Sequence, residues 1–148
     1  MTTLLHIDSS IQGEGSVTRQ LTKAIVADLR SKQPDLQVHY LNLATRPLTH
    51  LVLDLLPSDH PLAGAGMGGP EGLMGGKRVI VAVAAGGFYG AETPQAPAEH
   101  VRSYLGAVFA VIGITPQFIV AEGVQHGDEH RQTALNNAYS AIRALQPA

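Results

Sequence analysis

Cysteine is absent from the 148 residues. That excludes disulfides, thiolate metal sites and thiol nucleophiles, and it fits a cytoplasmic protein. Tryptophan is absent as well, so stacking on a planar ligand falls to three Phe and four Tyr. Charge is sparse. Charged residues make up 15% of the chain and the formal net charge is −2, which leaves no basic face for nucleic acid. No apolar run approaches the roughly 20 residues of a membrane-spanning helix. The opening Met1-Thr2-Thr3-Leu4-Leu5-His6 lacks the basic start and long apolar core of a secretory signal. Apolar residues do reach 45%, enough for a packed core, and the length suits one domain spanning 1–148.

What is present alternates. Residues 4–8 form a short apolar run, followed by the polar, glycine-rich Ser9-Ser10-Ile11-Gln12-Gly13-Glu14-Gly15. Leu21, Ile25 and Leu29 then recur at four-residue spacing with Ala24 and Ala27 between them, one apolar face of a helix. Ser16 or Thr18 is its natural N-cap, and Gln33-Pro34-Asp35 stops it. Residues 36–41 alternate apolar and polar, as a half-covered strand does. Residues 42–77 are irregular: four prolines fall there, and seven of the sixteen glycines lie in 64–76. Only 51–56 offers a regular element in that stretch.

Order resumes at 78–84, a continuous apolar run that predicts a parallel strand buried on both faces. Val101, Tyr104-Leu105, Val108-Phe109 and Ile112 then make a helical stripe, which Gly113 can close. Residues 117–120 read as the last strand. Ala134, Ala138, Ile142 and Leu145 mark one side of a final helix. The order β-α-β, an irregular middle, then β-α-β-α predicts an α/β fold with a doubly wound parallel sheet, helices on both faces and right-handed crossovers.

In such a sheet, ligands sit beyond the carboxyl ends of the strands, where two small-residue loops fall. The first, residues 9–18, runs into a helix N-terminus, whose free N–H groups and positive dipole end favour a phosphate. Ser10, Ser16 and Thr18 add hydroxyls. No Lys or Arg precedes Thr18, so dipoles and hydrogen bonds would hold the anion. The plainer alternative is that these hydroxyls only cap the helix. The second loop carries Gly86-Gly87, where a flat ring edge could approach the backbone. Its plainer reading is an ordinary tight turn.

His6-Ile7-Asp8-Ser9-Ser10-Ile11 with Ser16-Val17-Thr18-Arg19-Gln20-Leu21 resembles the opening of the FMN-dependent NADH-azoreductases, flavodoxin-like proteins formerly labelled acyl-carrier-protein phosphodiesterases. Gly69-Pro70-Glu71-Gly72-Leu73, Gly76-Lys77-Arg78-Val79-Ile80-Val81, Ile112-Gly113-Ile114-Thr115 and Ala121-Glu122-Gly123 are similar to later segments of the same family. The resemblance covers residues 3–50 and 69–147. It implies that Ser10, Ser16, Val17 and Thr18 hold the FMN phosphate, and that Ala84, Ala85, Gly86, Gly87 and Phe88 border the isoalloxazine. It also implies a homodimer that passes a hydride from NADH or NADPH through FMN to quinones or azo compounds.

Two departures stand out. Ala84-Ala85 replaces the family's Ser-Arg pair before the glycines. Residues 51–68 contain neither the third strand, nor the flavin-wrapping loop, nor the helix that normally follows. Those parts need on the order of 30 residues, so the central β3/α3 unit is expected to be missing or truncated. A rival reading follows: a shortened non-catalytic flavodoxin-like domain, with weak or no flavin binding, retained for packing or dimerisation.

Other motifs carry less. Gly64-Ala65-Gly66-Met67-Gly68-Gly69 fits G-x-G-x-x-G, but no strand precedes it. Ser58-Asp59-His60 holds triad residue types too close in sequence to form a triad. His126 and Glu129-His130 read as a solvated helix start, with no metal site expected. Glu122 reads as a loop carboxylate, and the remaining histidines as surface residues.

Overall fold

The computed structural model describes residues 2–46, 77–111 and 113–147. The expected element at 51–56, the motifs at 58–60 and 64–69, and nearly all of the irregular stretch lie outside them. The described elements are β1 (Thr3–Asp8), α1 (Val17–Lys32), β2 (Gln37–Asn42), β3 (Ile80–Ala85), α2 (Val101–Val111), β4 (Gln117–Glu122) and α3 (Asp128–Arg143), with short 3-10 turns at Gly13–Gly15 and Ala96–Ala98. This is the expected order.

Helix α1 begins where Ser16 accepts the Arg19 N–H and ends at Gln33 before Pro34. The N-cap is thus Ser16 and not Thr18. Helix α2 ends in a Schellman motif: Gly113, at φ 77, donates to the Ala110 carbonyl, and Ile114 donates to that of Phe109. Helix α3 presents Ala134, Ala138 and Ile142 to the core, with Leu145 just beyond its end.

The strands pair in parallel, β1 with β2 and β3 with β4. Among the described residues these are two separate two-stranded sheets, not one continuous sheet. Helix α1 spans the gap, packing on both β1 and β3 as well as on α3. Leu21, Ile25 and Leu29 of α1 meet Ile119 and Ala121 of β4 and the apolar face of α3 in one core. Each such buried aliphatic side chain stabilises the fold by about 1.5–3 kcal/mol.

One expectation needs correction. The run at 78–84 predicted burial on both faces, yet every residue of β3 is only half-buried. Ile80, Ala82 and Ala84 pack on the core, while β4 is the only described strand that pairs with β3. The stripe on α2 is partly exposed: Tyr104 is 67% exposed, Val101 48% and Val108 42%, while Leu105 and Phe109 are half-buried. Across the molecule, Leu5 and Ile7 of β1 are exposed too. Apolar periodicity gave the helix and strand correctly, but burial of the second face needs a covering element that no described residue supplies.

Candidate functional site

The parallel register brings Asp8 beside Asn42 at one pair of strand ends, and Ala85 beside Glu122 at the other. Loops from both ends meet in a cavity of about 500 Å³. Its wall includes Ser10, Ser16, Val17, Thr18, Ala84 and Gly86 of the expected site, together with Gln125 and Arg131.

At the head of α1, Ser16 is 2% exposed and its Oγ lies 2.9 Å from Thr18 Oγ1. Ser16 Oγ accepts the Arg19 N–H at 3.3 Å, so its own proton is free for Thr18 or for the cavity. Among the described residues, the backbone N–H groups of Val17 and Thr18 have no acceptor. Two free amides, two hydroxyls and a helix dipole therefore converge on one spot, a donor set suited to a phosphate.

The second wall is held by backbone bonds. The carbonyls of Ala85, Gly86 and Gly87 accept from Val124, Gln125 and Gly123. A Cβ on Gly86 would come within 2.7 Å of the Gln125 side chain, which would have to shift to admit it.

Three expected residues lie elsewhere. Ala85 and Gly87 do not line this cavity. Phe88 lines a second one of about 360 Å³, with Arg102, Glu122 and His130. Its ring sits 5.0 Å from that of His126 and 5.8 Å from that of His130. The two histidines thus surround an aromatic ring. Glu122 is held by the Tyr89 N–H at 3.2 Å and by Arg102 at 3.7 Å, which makes it a structural partner. His6, expected at the surface, bonds Asp8 at 3.3 Å and is partly covered by Tyr40.

Gly123 explains the Phe88 position. It has φ +75, and an added Cβ would clash with the Phe88 ring. Gly123→Ala is expected to expel Phe88 and to cost about 2 kcal/mol or more, combining left-handed strain with the clash. Urea unfolding checks this; a loss under about 0.5 kcal/mol would mean that the ring does not rest there.

Sequence reading missed Arg131. It is half-buried on the first turns of α3, and among the described residues its guanidinium has no hydrogen-bond or ion-pair partner. Its signal was weak, because nothing in the order of elements alone sets the head of α3 beside the head of α1. The cavity that Ser16, Val17, Thr18 and Arg131 line together reveals it.

A parallel α/β fold with a phosphate-type cavity at the strand ends defines a flavodoxin-like protein. Comparison with known proteins agrees: the family model described as flavodoxin-like fold matches residues 59–145. An FMN-dependent NADH:quinone oxidoreductase of Bradyrhizobium diazoefficiens is 38% identical, covering 98% of this chain and 99% of its own. One from Methylorubrum populi is 39% identical over 98% and 99%. The chain belongs to the FMN-dependent NADH:quinone oxidoreductase family.

The alignment to the Bradyrhizobium relative runs over 200 residues, longer than the 148 here. Such relatives therefore carry residues with no counterpart in this chain. In fold, an azoreductase from Bacillus anthracis superposes with TM-score 0.75 at 19% identity, covering 98% of this chain and 100% of that one. An FMN-dependent NADH-azoreductase of the same species, in complex with FMN, gives 0.73 at 17% identity, over 97% and 96%.

FMN fits the site at its phosphate end, where amides and hydroxyls surround a space beside Arg131, whose guanidinium has no partner among the described residues. At the ring end, Ala84 and Gly86 leave room but supply no side-chain donor or charge.

Proposed function

We propose that this protein is an FMN-dependent NAD(P)H oxidoreductase, passing a hydride from NADH through FMN to quinones. The observation that carries this reading is the convergence of Ser16, Thr18 and the free amides of α1 on a cavity that continues to the Gly86 loop. Ser10, Ser16, Thr18 and the Val17 and Thr18 N–H groups hold the phosphate, and Arg131 offsets its charge. Ala84 and Gly86 leave open backbone for the ring, with Gln125 beside it. Ala85, Gly87 and Phe88 support that loop from behind.

FMN, when bound, accepts and donates the hydride. The chain's own part is to seat it and leave one face open to donor and acceptor.

The finer reading is a homodimer of one-domain chains, in the cytoplasm, acting also on azo compounds and able to use NADPH. The exposed Val101, Tyr104 and Val108 of α2 support a partner surface, since apolar residues grouped on one helix favour association. The cysteine-free composition suits the compartment.

NADH oxidation in the presence of a simple benzoquinone tests the activity. The expected rate rises with added FMN and saturates as the protein fills. A rate no greater than that of free FMN and NADH without protein would support the rival reading of a non-catalytic domain.

A further inference from the structure

We infer that Arg19 is a positioning residue for the phosphate loop, acting through the Ser10 carbonyl; this rests on the proposal that the cavity at the head of α1 takes a phosphate. Arg19 is charged yet only 8% exposed. Its guanidinium grips the Ser10 carbonyl oxygen twice, from Nη2 at 2.8 Å and from Nε at 3.3 Å. A carbonyl oxygen turned into an anion site would repel the anion, and this clamp holds it away from the cavity. The backbone N–H of Arg19 meanwhile engages Ser16 Oγ. One residue therefore fixes both edges of the cradle.

The clamp is itself anchored. Nη2 also donates to Asn42 Oδ1 at 2.8 Å, and Nη1 donates to the Tyr40 hydroxyl at 3.0 Å. Tyr40 passes the link on to Asp8 Oδ2 at 3.0 Å, and Thr22 donates to Asp8 Oδ1 at 2.8 Å. Asp8 also lies 3.5 Å from Arg19 Nη1, so its charge is balanced. The role of Arg19 is thus geometric. It needs the planar fork of a guanidinium, which a lysine ammonium lacks.

The test compares FMN with riboflavin, which lacks the phosphate, by flavin fluorescence quenching on the full chain. Arg19→Lys keeps the charge and removes the fork. Asn42→Ala removes one anchor at an accessible strand end and carries the test where Arg19→Lys does not fold. The expected result is FMN binding weakened about tenfold or more in Arg19→Lys, less in Asn42→Ala, with riboflavin within about twofold of wild type. Parallel loss of both flavins, or an unchanged FMN-to-riboflavin ratio in both variants, overturns the inference and makes the cluster merely structural. Wild-type protein that does not prefer FMN overturns the underlying phosphate assignment instead. A ratio that narrows with Ser16→Ala and Thr18→Ala but not with Arg19→Lys leaves that assignment standing and removes only the role of Arg19.

Discussion

Asp8→Ala is expected to lower the unfolding free energy by about 3 kcal/mol or more. Asp8 is 3% exposed and faces Arg19, itself 8% exposed. Removing one member of a buried ion pair leaves the other charge without its counterion, at a cost of about 3–5 kcal/mol. Here the guanidinium keeps the Ser10 carbonyl, Tyr40 and Asn42, which places the loss at the lower end. The Tyr40 hydroxyl loses its acceptor in the same step, while Thr22 keeps only its bond to the Arg19 carbonyl. Urea unfolding of the two proteins measures it. A loss below about 1 kcal/mol, the size of an ordinary surface effect, would show that the cluster is far better hydrated than its burial indicates.

Ser16→Ala combined with Thr18→Ala is expected to weaken FMN by about tenfold to a hundredfold and riboflavin little. A hydrogen bond to a charged group contributes about 1.5–3 kcal/mol, and the two hydroxyls stand 2.9 Å apart at one side of the cavity. Ser16 is also the N-cap of α1, so the double variant loses about 1 kcal/mol of stability as well. Riboflavin separates the effects, since a loosened helix weakens both flavins while a lost phosphate contact weakens only FMN. Equal weakening would show that the hydroxyls do not touch the phosphate.

These two effects arise from features that were unequally legible in the sequence. Ser16 and Thr18 stood out because a hydroxyl run before an amphipathic helix has a local cause: capping. The same holds for the α1 face of Leu21, Ile25 and Leu29 and the α3 face of Ala134, Ala138 and Ile142, where spacing alone dictates which side is buried. The Asp8, Arg19, Tyr40 and Asn42 cluster joins four places distant in sequence. It becomes visible only through strand register, which sets His6 beside Tyr40 and Asp8 beside Asn42. Once the two strands were assigned as parallel neighbours, those pairings could have been tried, and the polar strand ends were the signal.

The resemblance puts Phe88 beside the flavin ring; in the structure its own ring lies against Gly123 and the histidines at the head of α3. A backbone glycine at positive φ decides that, and nothing local to Phe88 announces it. The partly exposed stripe of α2 has another cause. Periodicity tells which face of a helix is apolar, whereas burial depends on a neighbour.

The central claim is that the head of α1 and the Gly86 loop together still hold FMN in a chain shorter than its relatives. Equilibrium titration of flavin-free protein with FMN, followed by fluorescence quenching and the visible flavin absorbance, tests it most directly. The expected result is a saturable curve with one flavin per chain and tighter binding of FMN than of riboflavin. A colourless protein that shows no saturable quenching in excess FMN would contradict it.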